Sequence, residues 1–190
     1  MTRLSFIFAL ISVVLMGCTT ASYNGGGQSR VGGYRIGSED TGRIQFRMLD
    51  AINALRSAAG APALSLDAKL NAAAATHSRD MSVQNRPWHF GSDGSSPIDR
   101  VQRVGYEGRL VSEAISETYE TELETLAAWM EDPTTRAVVL DSKAKEMGFA
   151  WYQEPNGKIW WTLVTGTPDR APISSSVADV AANAIESSNL

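Results

Sequence analysis

Two histidines and one cysteine stand among the 190 residues, so few side chains can move a proton, hold a metal ion or attack a carbonyl near neutral pH. His89 lies in the glycine-containing loop Trp88–Ser95, where an imidazole with an ordinary pKa near 6.5 suits ligand contact or proton transfer. His77 shares a helical face with Leu66, Leu70, Ala73 and Met81 and reads as a satisfied core histidine. Ser92, Ser95 and Ser96 follow His89 closely. A serine nucleophile beside the imidazole is one arrangement, but their setting among Gly, Asp and Pro favours turn and cap roles. No G-x-S-x-G, phosphate-binding glycine loop or H-E-x-x-H occurs, which removes the common hydrolase and nucleotide signatures. With 17 basic against 21 acidic residues, a net charge of −4 and no basic run, the chain does not suit nucleic acid. The tryptophans Trp88, Trp129, Trp151, Trp160 and Trp161 read as core, with one or two at a cleft rim suiting a small apolar or ring-shaped ligand.

Cys18 has no partner for a disulfide within the chain. It follows Arg3, the apolar run Leu4–Met16 and Gly17, a run too short to span a bilayer comfortably and of the kind found in a leader peptide. Leu15-Met16-Gly17-Cys18 resembles a lipobox, with Met16 larger than usual at its position. The resemblance implies that residues 1–17 are removed and that Cys18 is acylated and anchors the chain to a membrane. Thr19, in place of an aspartate after the anchor, implies the outer membrane facing the periplasm. Residues 18–41, rich in Gly, Ser and Thr, read as a flexible lipid-anchored linker, and 169–190, rich in Ala and Ser, as a weakly structured tail. Between them residues 42–168 are enough for one domain, stable without disulfides.

The elements that must position His89 follow from periodicity. Ile44, Met48, Leu49, Ile52 and Leu55 predict a helix from near Arg43 that stops at Gly60-Ala61-Pro62, and a second helix runs from about Asp67 to Val83. Ser96-Pro97-Ile98-Asp99 predicts a capped short helix ending by Gly105. Leu110–Ile115 reads as a strand, and Glu122–Met130 as a helix closed by Pro133. Met147–Glu154 and Lys158–Thr165 form a hairpin about Pro155-Asn156-Gly157. Adjacent on one strand, Trp160 and Trp161 must face opposite ways, so one is covered by a helix or lines a groove.

In this order the segments LDAINALRSAAG, LSLDAKLNAAAATHSRDM, HFGSDGSSPIDRVQRVGY, SEAIS, WMEDPTTRAVVL and MGFAWYQEPNGKIWWTLVTG resemble the CAP superfamily (SCP or PR-1-like) in its bacterial form, over about residues 45–166. The resemblance implies an α+β fold, a three-layer α-β-α sandwich with a small, mainly antiparallel sheet and a C-terminal hairpin. It also implies a cleft in which two histidines and two acids can hold a divalent metal. His89 and Glu113 match the loop histidine and the strand glutamate; Thr135 stands in place of the second histidine, and Asp132 or Glu131 matches the second acid loosely. Two such ligands and a hydroxyl make a poor cage, with Arg136 adjacent, so no metal cofactor is expected.

The ligand cleft expected from the resemblance is therefore His89, Glu113, Thr135 and Asp132. His89 either fixes its loop by bonding to the strand of Glu113 or contacts a ligand; Glu113 is either its partner or a general base. Three functions follow: a non-catalytic envelope lipoprotein binding a small apolar ligand or a protein partner through the cleft, a hydrolase of peptide or cell-wall material using His89 and Glu113, and a structural envelope protein with a vestigial cleft.

Overall fold

The computed structural model describes residues 35–118 and 121–168; the leader, Cys18, most of the linker and the tail from 169 onward lie outside them. Chain order is α1 (Thr41–Ala58), β1 (Ser65–Leu66), α2 (Ala68–Gln84), α3 (Pro97–Arg103), β2 (Arg109–Thr118), α4 (Glu122–Glu131), α5 (Pro133–Leu140), β3 (Glu146–Gln153) and β4 (Ile159–Thr167). The strands form one sheet in the order β1-β3-β4-β2. It is antiparallel except for β1, whose two residues pair parallel with Glu146 and Met147.

Strand alternation sends side chains to two cores. On one face Phe149, Trp161 and Leu163 meet Ile44, Met48 and Ile52 of α1, Leu126 and Trp129 of α4 and Val139 of α5. On the other, Ala150 and Val164 meet Leu70, Ala73 and Ala74 of α2 and Val101 of α3. The result is the three-layer α-β-α sandwich. Phe149 stacks on Trp161 with ring centroids 5.5 Å apart, and Trp129 approaches Phe149 edge-on. Trp160 and Trp161 both lie fully buried, so neither lines a groove. Gly148 lets α2 approach the sheet, since a Cβ there would overlap the backbone of Leu70 and Asn71. The β3–β4 turn follows its Asn-Gly signal, with Gly157 at φ 101°.

Four features depart from the sequence reading. Residues 35–41, assigned by composition to the spacer, carry a 3-10 turn at Ser38–Asp40 and the start of α1. Arg35 donates to the carbonyls of Glu154 and Pro155, and the Ile36 amide to Gln153 Oε1 at 3.0 Å. Strand β2 runs on to Thr118 because it pairs with β4 along its length. Pro133 does not close the helical region: Asp132 caps a further helix in which proline takes the first position. Strand β1 is held by Asn53, whose amide both donates to and accepts from the Leu64 backbone.

Arg56, fully buried in α1, donates to four backbone carbonyls. These are Pro62 at 2.7 Å, Val139 at 2.8 Å, Asp141 at 3.1 Å and Ala144 at 3.0 Å. Arg56→Met should cost about 3 kcal/mol or more in urea unfolding, because the apolar side chain strands those oxygens away from water. A loss below about 1 kcal/mol, the net value of a single ordinary hydrogen bond, would show that the clasp is not needed.

Candidate functional site

Alternation along β2 turns Ala114 toward α1 and its neighbour Glu113 toward α2 and α3. The Glu113 side chain is only 3% exposed, and three basic groups surround it. Arg100 Nη2 donates to both carboxylate oxygens, at 2.9 and 2.7 Å. His89 Nδ1 lies 2.9 Å from Oε1, and His77 Nε2 lies 3.8 Å from the same oxygen. The second amino group of Arg100 reaches the carbonyls of His89 at 2.9 Å and Ser95 at 3.4 Å. Arg100 can do this because the Ser96/Asp99 capping box and Pro97 fix the start of α3 four residues earlier.

Burial opposes the ionised form of Glu113. The His89 hydrogen bond and the basic groups His77 and Arg100 outweigh it and hold the carboxyl below its ordinary 4.5. As an ionised acceptor it fixes the proton of His89 on Nδ1, leaving Nε2 as the acceptor of a half-exposed ring. His77 is pushed below the ordinary 6.5, chiefly by burial and further by Arg100, against the pull of Glu113, the Trp88 backbone and Asp80. Neither ring nitrogen of His77 makes a hydrogen bond of ordinary geometry, so it is a core histidine held by weak polar contacts.

The structure brings His89 and Glu113 together and uses Thr135 and Asp132 elsewhere. Thr135 Oγ1 donates to the Trp129 carbonyl at 2.7 Å. Asp132 accepts from the amides of Thr134 at 2.6 Å and Thr135 at 3.2 Å as the cap of α5, and those bonds hold its carboxyl below the usual range. Glu131 is exposed at the same junction. Ser96 caps α3, and Ser92 donates through its amide and hydroxyl to Asp80, at 2.8 and 2.5 Å. Sequence reading missed Arg100 and the outlook of His77. The only hints were a basic residue one turn after the Ser-Pro cap and a histidine on an apolar face.

A divalent metal does not fit this donor set. An ion on Glu113 would meet the guanidinium that already grips both oxygens, Thr135 is directed to a backbone carbonyl, and no cluster of three or more acidic, His or Cys ligands forms among the described residues. The cluster instead fastens the loop after α2. Beside Arg100 that loop walls a cavity of about 300 Å³, with Ala73 and Val104 on its apolar side and Asp80, Ser92 and Arg103 on its polar side.

Because His77 is harder to protonate folded than unfolded, unfolding takes up a proton at pH values below the free imidazole's 6.5. Its contribution to stability is complete above that value and declines as the pH falls. Between about pH 7 and pH 5 the wild type should lose stability more steeply than His77→Gln. Glu113, whose depressed pKa makes itself felt only below 4.5, does not disturb this window. Parallel curves in urea unfolding would show that His77 does not titrate on unfolding.

The sequence model of the CAP family, described as the cysteine-rich secretory protein family, matches residues 49–165. Over 114 residues, 60% of this chain, the sequence is 26% identical to an uncharacterized protein, YkwD, of Bacillus subtilis strain 168, and spans 44% of that protein's length. The fold resembles an outer surface protein of Borrelia burgdorferi at a TM-score of 0.63 and 15% identity, covering 72% of this chain and 99% of that one. It also resembles an SCP-domain extracellular protein of Bacillus anthracis at a TM-score of 0.59 and 20% identity, covering 69% and 44% of the two chains. At such identities the structural likenesses establish the architecture alone. With the family's sequence pattern laid over its three-layer architecture, the chain belongs to the CAP family.

Proposed function

We propose that this is a non-catalytic, membrane-anchored cell-envelope lipoprotein whose CAP domain binds a small apolar ligand or a protein partner through the loop around His89. The observation that carries the binding role is the occupancy of Glu113. Both its oxygens are engaged by Arg100 and one also by His89, so the carboxylate is a fastener rather than a free base. What it fastens is the wall of the cavity beside Arg100 and, outside it, the half-exposed His89 ring. Anchoring is supported by the apolar leader, the lone Cys18 after Leu15-Met16-Gly17 and the Gly/Ser linker, and Thr19 supports an outer-membrane address facing the periplasm. The likeness to an outer surface protein of Borrelia burgdorferi and an extracellular protein of Bacillus anthracis supports an envelope setting.

One observation favours hydrolysis as the second reading. A carboxylate on Nδ1 of His89 leaves Nε2 as a basic nitrogen on a half-exposed ring, the arrangement a general base requires. Unchanged turnover by His89→Ala on any substrate that the protein cleaves would remove it.

The reading is tested in two steps. Cys18→Ala should abolish incorporation of a palmitate label and move the protein from the membrane fraction to the soluble one; unchanged labelling and fractionation would end the anchoring claim. Native mass spectrometry of protein purified from its own host should show a retained small molecule or partner, and His89→Ala or Arg100→Met should reduce its occupancy by about tenfold, the worth of about 1.4 kcal/mol. Equal occupancy in all three would move binding away from this loop.

A further inference from the structure

Six large apolar side chains stand exposed among the described residues, and three of them, Val83 (74%), Trp88 (43%) and Phe90 (45%), fall within eight residues at and after the end of α2. The Trp88 and Phe90 rings pack together, centroids 5.6 Å apart, and the Arg86 guanidinium lies 4.4 Å from the Trp88 ring centroid. That cation covers a face of the indole, so the pair is not an open platform for a sugar ring. Amphipathic rings with an arginine among them are instead what sits at headgroup level in a bilayer, where the rings meet the acyl boundary and the guanidinium meets phosphate.

Two carbonyls behind these side chains already have partners. Gln84 donates to the Phe90 carbonyl at 2.9 Å, and Arg100 to that of His89. Those two carbonyls are therefore not stranded when the rings leave water.

The path of the chain points the same way. Arg79 of α2 lies over the Tyr152 ring near the end of β3, and Val83 is one turn further along the helix. Arg35, where the described fold begins, is bound to carbonyls of the adjoining turn at Glu154 and Pro155. Arg35, 17 positions after Cys18, therefore lies at the end of the sheet that α2 approaches with Val83. The 16 residues between Cys18 and Arg35 span at most about 60 Å.

We propose that Val83, Trp88 and Phe90, with Arg86, form a second, non-covalent contact with the lipid bilayer that seats the domain with His89 beside the headgroups. This rests on the anchored reading above: acylated Cys18 confines the domain near the surface, where a patch that binds from solution only at high lipid concentration is sufficient.

The test uses the full-length acylated protein in phosphatidylethanolamine/phosphatidylglycerol vesicles with brominated acyl chains. Emission should fall by about one tryptophan's share, and Trp88→Phe should abolish the loss. The double variant Val83→Ser with Phe90→Ser, checked for native circular dichroism, should abolish it as well while retaining Trp88 as reporter. No quenching in the wild type, or equal quenching in Trp88→Phe, overturns the proposal. Protein whose Cys18 carries no lipid refutes the anchor instead; the same quenching, measured on that protein at high vesicle concentration, then decides the patch by itself.

Discussion

A carboxylate almost wholly out of water sets the terms for one side of this molecule. Glu113 lies where the sheet meets α2 and α3, and an ionised group there is tolerable only if strong donors converge on it. Arg100 meets that demand, and in doing so fixes the register of α3 and the course of the loop through the carbonyls of His89 and Ser95. The loop, the cavity wall and the display of His89 are consequences of that pairing. His77, 3.8 Å from the same carboxylate and without a hydrogen bond of ordinary geometry, adds an acid-sensitive weakness to an otherwise well-matched cluster.

Most of the scaffold could be read from the sequence because its elements repeat at the spacing physics requires. Helix α1 shows an apolar residue every three to four positions, and the β3–β4 turn carries Asn156-Gly157 where positive φ is needed. Strand β1 could not be read, since two residues have no period. Helix α5 was hidden because a proline taken as a stop also serves as a helix's first residue. In the site, His89 and Glu113 were legible through their order along a family pattern, whereas Arg100 was not, because no spacing rule announces that a helix's fourth residue will cross to a strand 13 residues on. Thr135 shows the opposite error. Its place in the pattern drew it into the cleft, but its hydroxyl and amide serve the α4–α5 junction.

The same cluster shows how a fold can keep its architecture while the chemistry of its cleft reverses. The resemblance implies acids and imidazoles converging on a cation; here the carboxylate faces two imidazoles and a guanidinium, so the positive partner is built into the chain. A cation that is covalently part of α3 cannot be exchanged for another. The exposed edge of the cluster is left to whatever the His89 ring and its aromatic neighbours contact.

Arg56 has a temporal consequence. The helix that carries it comes early in the chain, but three of its four carbonyl partners lie 83, 85 and 88 residues later. Any process that delivers the polypeptide from its N-terminus, whether ribosomal synthesis or threading through a translocation pore, leaves this side chain without those oxygens until Ala144 has emerged. For most of that journey the first helix stays unlocked, and the domain closes only when nearly all of it is on the same side.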